Sequence, residues 1–187
     1  MYRIALVLAL VCWMGLERTI RLRRSNGGGV SLDAGTLCFL RWAIYGSVPL
    51  ALAIAFWHSR GFDFGAGRPW QWVGLGMIAA GLAIRGSALR TLRRFFTPDI
   101  TIVAGQRLIQ TGLYRFVRHP GYAGMLLSIG GLAVALANGY AAALLATAPT
   151  LAVWRRIRVE EQVLRQAFPD DYPRYCRTTA RLIPFVF

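Results

Sequence analysis

The sequence predicts an all-α, polytopic integral membrane protein: five transmembrane helices, a helical hairpin near the C-terminus and a cytoplasmic C-terminal cap. Three observations predict it. Hydrophobic residues make up 56% of the 187 residues and charged residues only 16%, where a soluble domain carries about 25% charged residues. The mean hydropathy is +0.44. The apolar residues gather into runs of the length that a hydrocarbon core of about 30 Å demands of a helix. This composition excludes a disordered chain, and the length suits a single membrane domain over 1–187.

The first predicted span runs over 2–16. Arg18, Arg21, Arg23 and Arg24 follow it, where positive charge opposes export, so it is expected to stay as a membrane helix rather than be cleaved. Residues 25–29 (SNGGG) read as a linker, because neither a preceding strand nor GxGxxG spacing supports a phosphate cradle. The second span is expected over 36–57 and the third over 70–89, with an outer loop over 58–69 between them. From Pro120 to Trp154 no residue is charged. That stretch is too long for one span, and Asn138-Gly139 is a turn signal in its middle. It predicts two short helices, 121–137 and 140–154, as a tight hairpin. Thus 1–89 supplies three N-terminal spans and 90–187 supplies the long inner connection, the hairpin and the tail. Small residues such as Gly74, Gly81, Gly130 and Gly131 predict close helix packing.

The net charge of +14 comes from 22 basic residues, all arginine. With the N-terminus outside, nineteen of them fall on inner segments, counting Arg41 and Arg85 with their nearest inner ends. Only Arg3, Arg60 and Arg68 fall outside. The positive-inside rule then sets the N-terminus outside and the C-terminus in the cytoplasm. It also accounts for the charge without nucleic acid, which would need basic residues and stacking aromatics on one soluble face. Arginine without lysine suggests a GC-rich genome and a prokaryotic inner membrane. Cys12, Cys38 and Cys176 are odd in number and form no CxxC, so neither a disulfide framework nor a metal site is expected. Cys12 and Cys38 read as small buried hydrophobes.

The polar residues that carry chemistry lie on two inner segments. In the first, 108–124, Arg118-His119-Pro120 leads into a helix, and proline in the first turn marks its start. His119 then stands at a helix N-terminus, which favours an anion such as a carboxylate. A plain interfacial anchor explains it equally well. In the second, 155–176, Arg156 and Glu160 are four residues apart and share a helix face, as do Glu161 and Arg165. The latter pair reads as an exposed ion pair. The former, within one turn of Trp154 at the membrane edge, is the better functional candidate.

Together these segments resemble the isoprenylcysteine carboxyl methyltransferase family. The resemblance rests on Gly112-Leu113-Tyr114-Arg115 and Arg118-His119-Pro120-x-Tyr122-x-Gly124, followed by the hairpin. Arg156-x-x-x-Glu160-Glu161-x-x-Leu164, Phe168, Tyr172, Tyr175 and Arg181-Leu182-Ile183-Pro184-Phe185 complete it, over roughly 90–187. Pro169-Asp170 departs from the glycine that family members often carry, and Gly112-Leu113 departs from Gly-Pro.

The resemblance implies S-adenosyl-L-methionine as methyl donor, held without a Rossmann domain at the inner end of the last two helices. It implies cofactor contacts from Arg118, His119, Pro120, Tyr122, Gly124 and Glu160, with Tyr172 and Tyr175 closing over the site. It implies catalytic roles for Glu160 and for Arg156, the latter orienting the acceptor. That acceptor would be lipophilic: the carboxylate of an isoprenylated cysteine, or a related isoprenoid thioether acid, entering from the bilayer. A phospholipid amine or a small thiol remains open as acceptor, and would need His119 or Glu160 as base. A sterol-type NADPH reductase and a non-catalytic membrane scaffold are the rival readings.

Overall fold

The computed structural model describes residues 2–22, 32–57, 68–102 and 105–184. The linker at 25–29, the outer loop at 58–67 and Phe185 lie outside the described residues. Among the described residues six helices follow in order: α1 (Tyr2–Leu22), α2 (Thr36–Trp57), α3 (Arg68–Leu92), α4 (Pro120–Leu136), α5 (Gly139–Ala167) and α6 (Asp171–Thr178). Short 3-10 turns stand at Arg93–Phe95 and Gly112–Arg115. The described residues contain no strand.

The expected runs are all helical, but three of them are longer than hydropathy alone suggests. α1 continues to Leu22 and α3 to Leu92, because backbone hydrogen bonding does not stop where the apolar run stops. α5 carries on beyond Trp154 as far as Ala167. α2 and the Pro69–Leu92 part of α3 are each long and apolar enough to cross a bilayer. α4 has 17 residues, about 26 Å at 1.5 Å per residue, a little short of the hydrocarbon core.

The hairpin forms where Asn138-Gly139 predicts it. Ala137 takes a left-handed conformation (φ 52°) and ends α4. The buried Asn138 side chain accepts the Ala141 amide at 3.0 Å and caps α5, meeting a donor that the first turn leaves unpaired.

The core forms where α5 packs on α2 and on α4. Leu40, Ile44, Val48 and Ala51 form one stripe of α2, packed with Ile129 and Leu132 of α4 and Leu145, Val153 and Ile157 of α5. The outer surface is apolar as well: Val7, Leu8 and Val11 of α1 and Trp42 and Phe56 of α2 are exposed. Cys12 and Cys38 are exposed too, not buried. The expectation fails because an apolar run in a membrane protein turns many of its residues outward to lipid, so hydropathy no longer separates inside from outside.

α3 and α4 pack antiparallel at backbone contact. A Cβ added at Gly131 would stand 2.6 Å from the Gly74 carbonyl, and one added at Gly124 would stand 2.6 Å from the Gly81 carbonyl. The two pairs are seven residues apart on each helix, two full turns. Between them the Ser128 hydroxyl donates to Gly124 O at 3.0 Å. Gly124 was expected to contact the cofactor. It lies in this seam, where its missing side chain is what lets α3 close. Gly124→Ala is expected to lower stability by about 1–3 kcal/mol through overpacking. At Gly130 an added carbon meets only Met77 Cε at 3.8 Å, so Gly130→Ala should stay within about 0.5 kcal/mol. Thermal unfolding of both variants in detergent checks the contrast.

Candidate functional site

The segment before α4 is held by the tail. Arg118 N donates to Ala180 O at 2.8 Å, His119 N to Arg181 O at 3.2 Å, and Ala180 N to Phe116 O at 3.1 Å. These bonds make a one-residue parallel bridge between Val117 and Ala180. Pro120 occupies the first position of α4 and is buried, which leaves His119 as the capping residue. Pro120 thus shapes the helix start and does not line the cavity described next.

A cavity of about 210 Å³ opens at this end of the bundle. Its wall is built from the ends of α1, α2, α3 and α5, the start of α4, the stretches 95–102 and 106–109, and α6. Arg118, His119, Tyr122, Arg156, Glu160, Tyr172 and Tyr175 all line it. Apolar side chains from α2 and α3, among them Leu37, Leu40, Ile44 and Leu89, complete it.

Tyr122 is the hinge of the polar cluster. Its hydroxyl donates to Glu160 Oε2 at 2.8 Å and accepts from Arg156 Nε at 2.7 Å. His119 lies below it, ring centroids 5.8 Å apart, with Nδ1 3.8 Å from Glu160 Oε1. The Glu160 side chain keeps 30% exposure, so its carboxylate has capacity left for a ligand in the cavity.

Its neighbour faces the other way. Glu161 is 3% exposed; the expected ion pair with Arg165 is present at 3.9 Å, but only its arginine side is exposed. Glu161 accepts from Arg118 Nε at 3.2 Å, from Arg181 Nε at 3.1 Å and from Arg181 Nη2 at 2.9 Å. His119 Nε2 stands 3.3 Å from the same carboxylate. An ionised carboxylate only accepts, so Nε2 carries the proton in this contact. Burial alone would raise the Glu161 carboxyl. The hydrogen bonds from His119 and Arg181, with their charge, outweigh it and hold the group well below the usual carboxylate range. Arg118 also donates to the Cys176 and Thr179 carbonyls, so it joins α5 to the tail.

Arg156 is equally committed. Besides Tyr122 it donates from Nη1 to Asp33 Oδ1 at 2.5 Å and Thr36 Oγ1 at 3.1 Å, and from Nη2 to Pro98 O at 2.5 Å. Asp33 in turn caps α2, accepting the Leu37 amide at 2.8 Å and the Thr36 hydroxyl at 2.7 Å. Arg156 therefore ties the start of α2 and the 97–100 segment to the wall on which Tyr122 stands. It does not pair with Glu160, the partner its helix spacing suggests.

In the cap, Tyr175 donates to Tyr114 O at 2.6 Å. Tyr172 is 1% exposed, and its buried hydroxyl has no hydrogen-bond partner. Burial, with the nearby Glu161 charge, pushes that phenol far above its ordinary value, so it remains a donor. Sequence reasoning missed Asp33 and the Glu17–Arg85 pair that also lines the cavity, and gave Glu161 no part in holding the tail. An acid three residues ahead of an apolar run is a cap signal that points to Asp33. Nothing local marks the others.

The model of the isoprenylcysteine carboxyl methyltransferase (ICMT) family matches residues 72–166, just over half of the chain. The chain belongs to the isoprenylcysteine carboxyl methyltransferase family. It is 40% identical over 122 residues to a "Probable protein-S-isoprenylcysteine O-methyltransferase" of Oryza sativa subsp. indica, covering 62% of each protein. It is 39% identical over 119 residues to "Protein-S-isoprenylcysteine O-methyltransferase A" of Arabidopsis thaliana, covering 60% of this chain and 58% of that one. The chain thus spans about three fifths of the length of these plant relatives. Its fold is that of a eukaryotic intramembrane Ras methyltransferase of the isoprenylcysteine carboxyl methyltransferase family, with a TM-score of 0.65 at 23% identity over 77% of this chain and 51% of the other. Family and apolar exterior together make this an integral membrane protein. The matched stretch contains His119, Tyr122, Arg156, Glu160 and Glu161. Asp33 and the tyrosines of the cap lie outside it.

Proposed function

We propose that this protein transfers a methyl group from S-adenosylmethionine to the carboxylate of an isoprenylated cysteine or a related isoprenoid thioether acid. The observation that carries this reading is the convergence of Glu160, Tyr122 and His119 on one cavity with apolar side chains on its other wall. The residues present suit the donor. A partly free carboxylate suits its ammonium or ribose hydroxyls. The N-terminus of α4, with Gly121 on the cavity wall, suits its carboxylate. The orphaned Tyr172 hydroxyl is a buried donor awaiting an acceptor.

When bound, the donor supplies an electrophilic methyl group on a positively charged sulfur. The protein's contribution is alignment. Tyr122 fixes the direction of Glu160, while Arg156 fixes Tyr122 and is thus a positioning residue. Tyr172 and Tyr175, held by the tail, exclude water from the site. An acceptor carboxylate is already a nucleophile and requires no general base, so proximity and a dry cavity account for the rate. Five spans, with the N-terminus outside and the cap on the cytoplasmic face of a prokaryotic inner membrane, are part of the same proposal. The arginine distribution supports the orientation. The donor then arrives from the cytoplasm and the lipid acceptor from the bilayer.

Calorimetry on the detergent-purified protein, with S-adenosylmethionine and NADPH in parallel, tests the reading. Micromolar binding of the methyl donor alone is expected, weakened about 10- to 100-fold in Glu160→Gln by loss of a charge-assisted hydrogen bond. Binding of NADPH instead would replace the proposal with a reductase. Binding of neither, by folded protein, would leave a scaffold.

A further inference from the structure

The acceptor's carboxylate needs a cation, and the guanidiniums on the cavity wall are not equivalent. Those of Arg41, Arg85, Arg107, Arg118 and Arg156 line it. Arg41 and Arg107 are exposed. Arg118 is spent on Glu161 and two tail carbonyls, and Arg156 on Asp33, Thr36, Tyr122 and Pro98. Arg85 differs from all four. It is 9% exposed, it donates to Gly121 O at 2.9 Å, and its buried Nε has no partner. Its one carboxylate is Glu17, 2.7 Å from Nη2. Glu17 also lines the cavity and reaches it from α1, which packs chiefly against α3.

We propose that Arg85 receives the acceptor's carboxylate, and that Glu17 holds that place while the acceptor is absent. The inference rests on the methyl-transfer reading. A carboxylate offering two oxygens to the guanidinium would engage the orphaned Nε together with Nη2, where Glu17 engages Nη2 alone. Burial strengthens that pairing relative to the exposed arginines. The exchange swaps one anion for another at the guanidinium, and the displaced Glu17, whose side chain keeps 19% exposure, turns toward solvent, a cost that acceptor binding must offset. The bond that forms joins an acceptor oxygen to the methyl carbon. The carbon–sulfur bond breaks, its electron pair stays on sulfur, and a neutral thioether leaves with no proton moved. The methyl ester produced is uncharged, so Arg85 releases it and recovers Glu17.

The test is read without methyl donor. Binding of N-acetylated farnesylcysteine and of its methyl ester is measured by calorimetry on the detergent-purified full chain. The wild type is expected to prefer the acid. Arg85→Gln is expected to lower acid affinity about tenfold, as one charge-assisted hydrogen bond predicts, with ester affinity unchanged. Glu17→Gln retains Arg85 and its bond to Gly121, and is expected to raise acid affinity by removing the competing anion. An unchanged acid-to-ester ratio in Glu17→Gln, or in a folded Arg85→Gln, would overturn the proposal. Failure of the methyl-transfer reading shows separately, as absent S-adenosylmethionine binding in the same preparation.

Discussion

Glu161→Gln is expected to destabilise the protein by about 3–5 kcal/mol, the cost of removing one partner from a buried ion network. Glu160→Gln, one residue away, is expected to leave it folded and to weaken methyl-donor binding about 10- to 100-fold, through loss of a charge-assisted hydrogen bond. Consecutive residues on a helix point about 100° apart. Here that rotation turns one carboxylate into the cavity and the other into the joint between α5, the 116–119 segment and the tail. Glu161→Gln leaves the Arg118 and Arg181 guanidiniums and the His119 Nε2–H without their charged acceptor, and the tail they hold carries the cap. The pH dependence has a definite sign. Because the folded-state carboxyl is held below its ordinary value of about 4.3, Glu161 stabilises the fold above that pH. The contribution is lost as pH falls toward its folded value. Wild-type stability should therefore decline on acidification below about pH 4.3, and Glu161→Gln should flatten that limb. Unfolding curves at several pH values, beside calorimetry on Glu160→Gln, check both halves.

The second large effect is expected at Arg156 and Asp33. Their ion pair spans 123 residues of sequence, and both side chains are buried. Arg156→Ala strands the Asp33 carboxylate and frees the Pro98 carbonyl, and Asp33→Ala strands the guanidinium. Each should cost about 3–5 kcal/mol. The double variant should cost clearly less than the two together, with a coupling of about 0.5–3 kcal/mol. Arg156→Ala should also release the Tyr122 hydroxyl, and with it the aim of Glu160, so donor affinity falls in Arg156→Ala more than in Asp33→Ala. Equal losses in the two would remove Tyr122 from the argument. A thermodynamic cycle in detergent, with donor binding measured on each variant, decides it.

How much of the site was legible differs residue by residue. His119 was legible because Pro120 marks a helix start and the residue before it must cap that helix. Glu160 was legible as a polar residue just beyond a charge-free run, and Tyr172 and Tyr175 through the family resemblance of the tail. Glu161 was read only through its contact with Arg165, and Arg156 only with its helix neighbour Glu160. An i,i+4 rule knows only one helix, whereas Glu161 meets the tail and Arg156 meets the loop before α2. Gly124 was visible as part of the motif, but its use is packing against Gly81. Cys12 and Cys38 were placed inside because burial was read from hydropathy.

The sequence by itself determined the class of molecule, the helical runs, the break at Asn138-Gly139 and the family. Each is local: a run of apolar residues, a turn dipeptide, or a motif at fixed spacing. Only the tertiary structure decided that Glu161, beside the cavity-facing Glu160, holds the tail, and that Asp33 reaches Arg156. It alone showed that Arg85 is the buried guanidinium on the cavity wall with an unpartnered nitrogen. The physical reason is that helix rotation and long-range pairing are set by packing and by the need to satisfy every buried charge. Those constraints act between segments far apart in the chain, and no local pattern carries them.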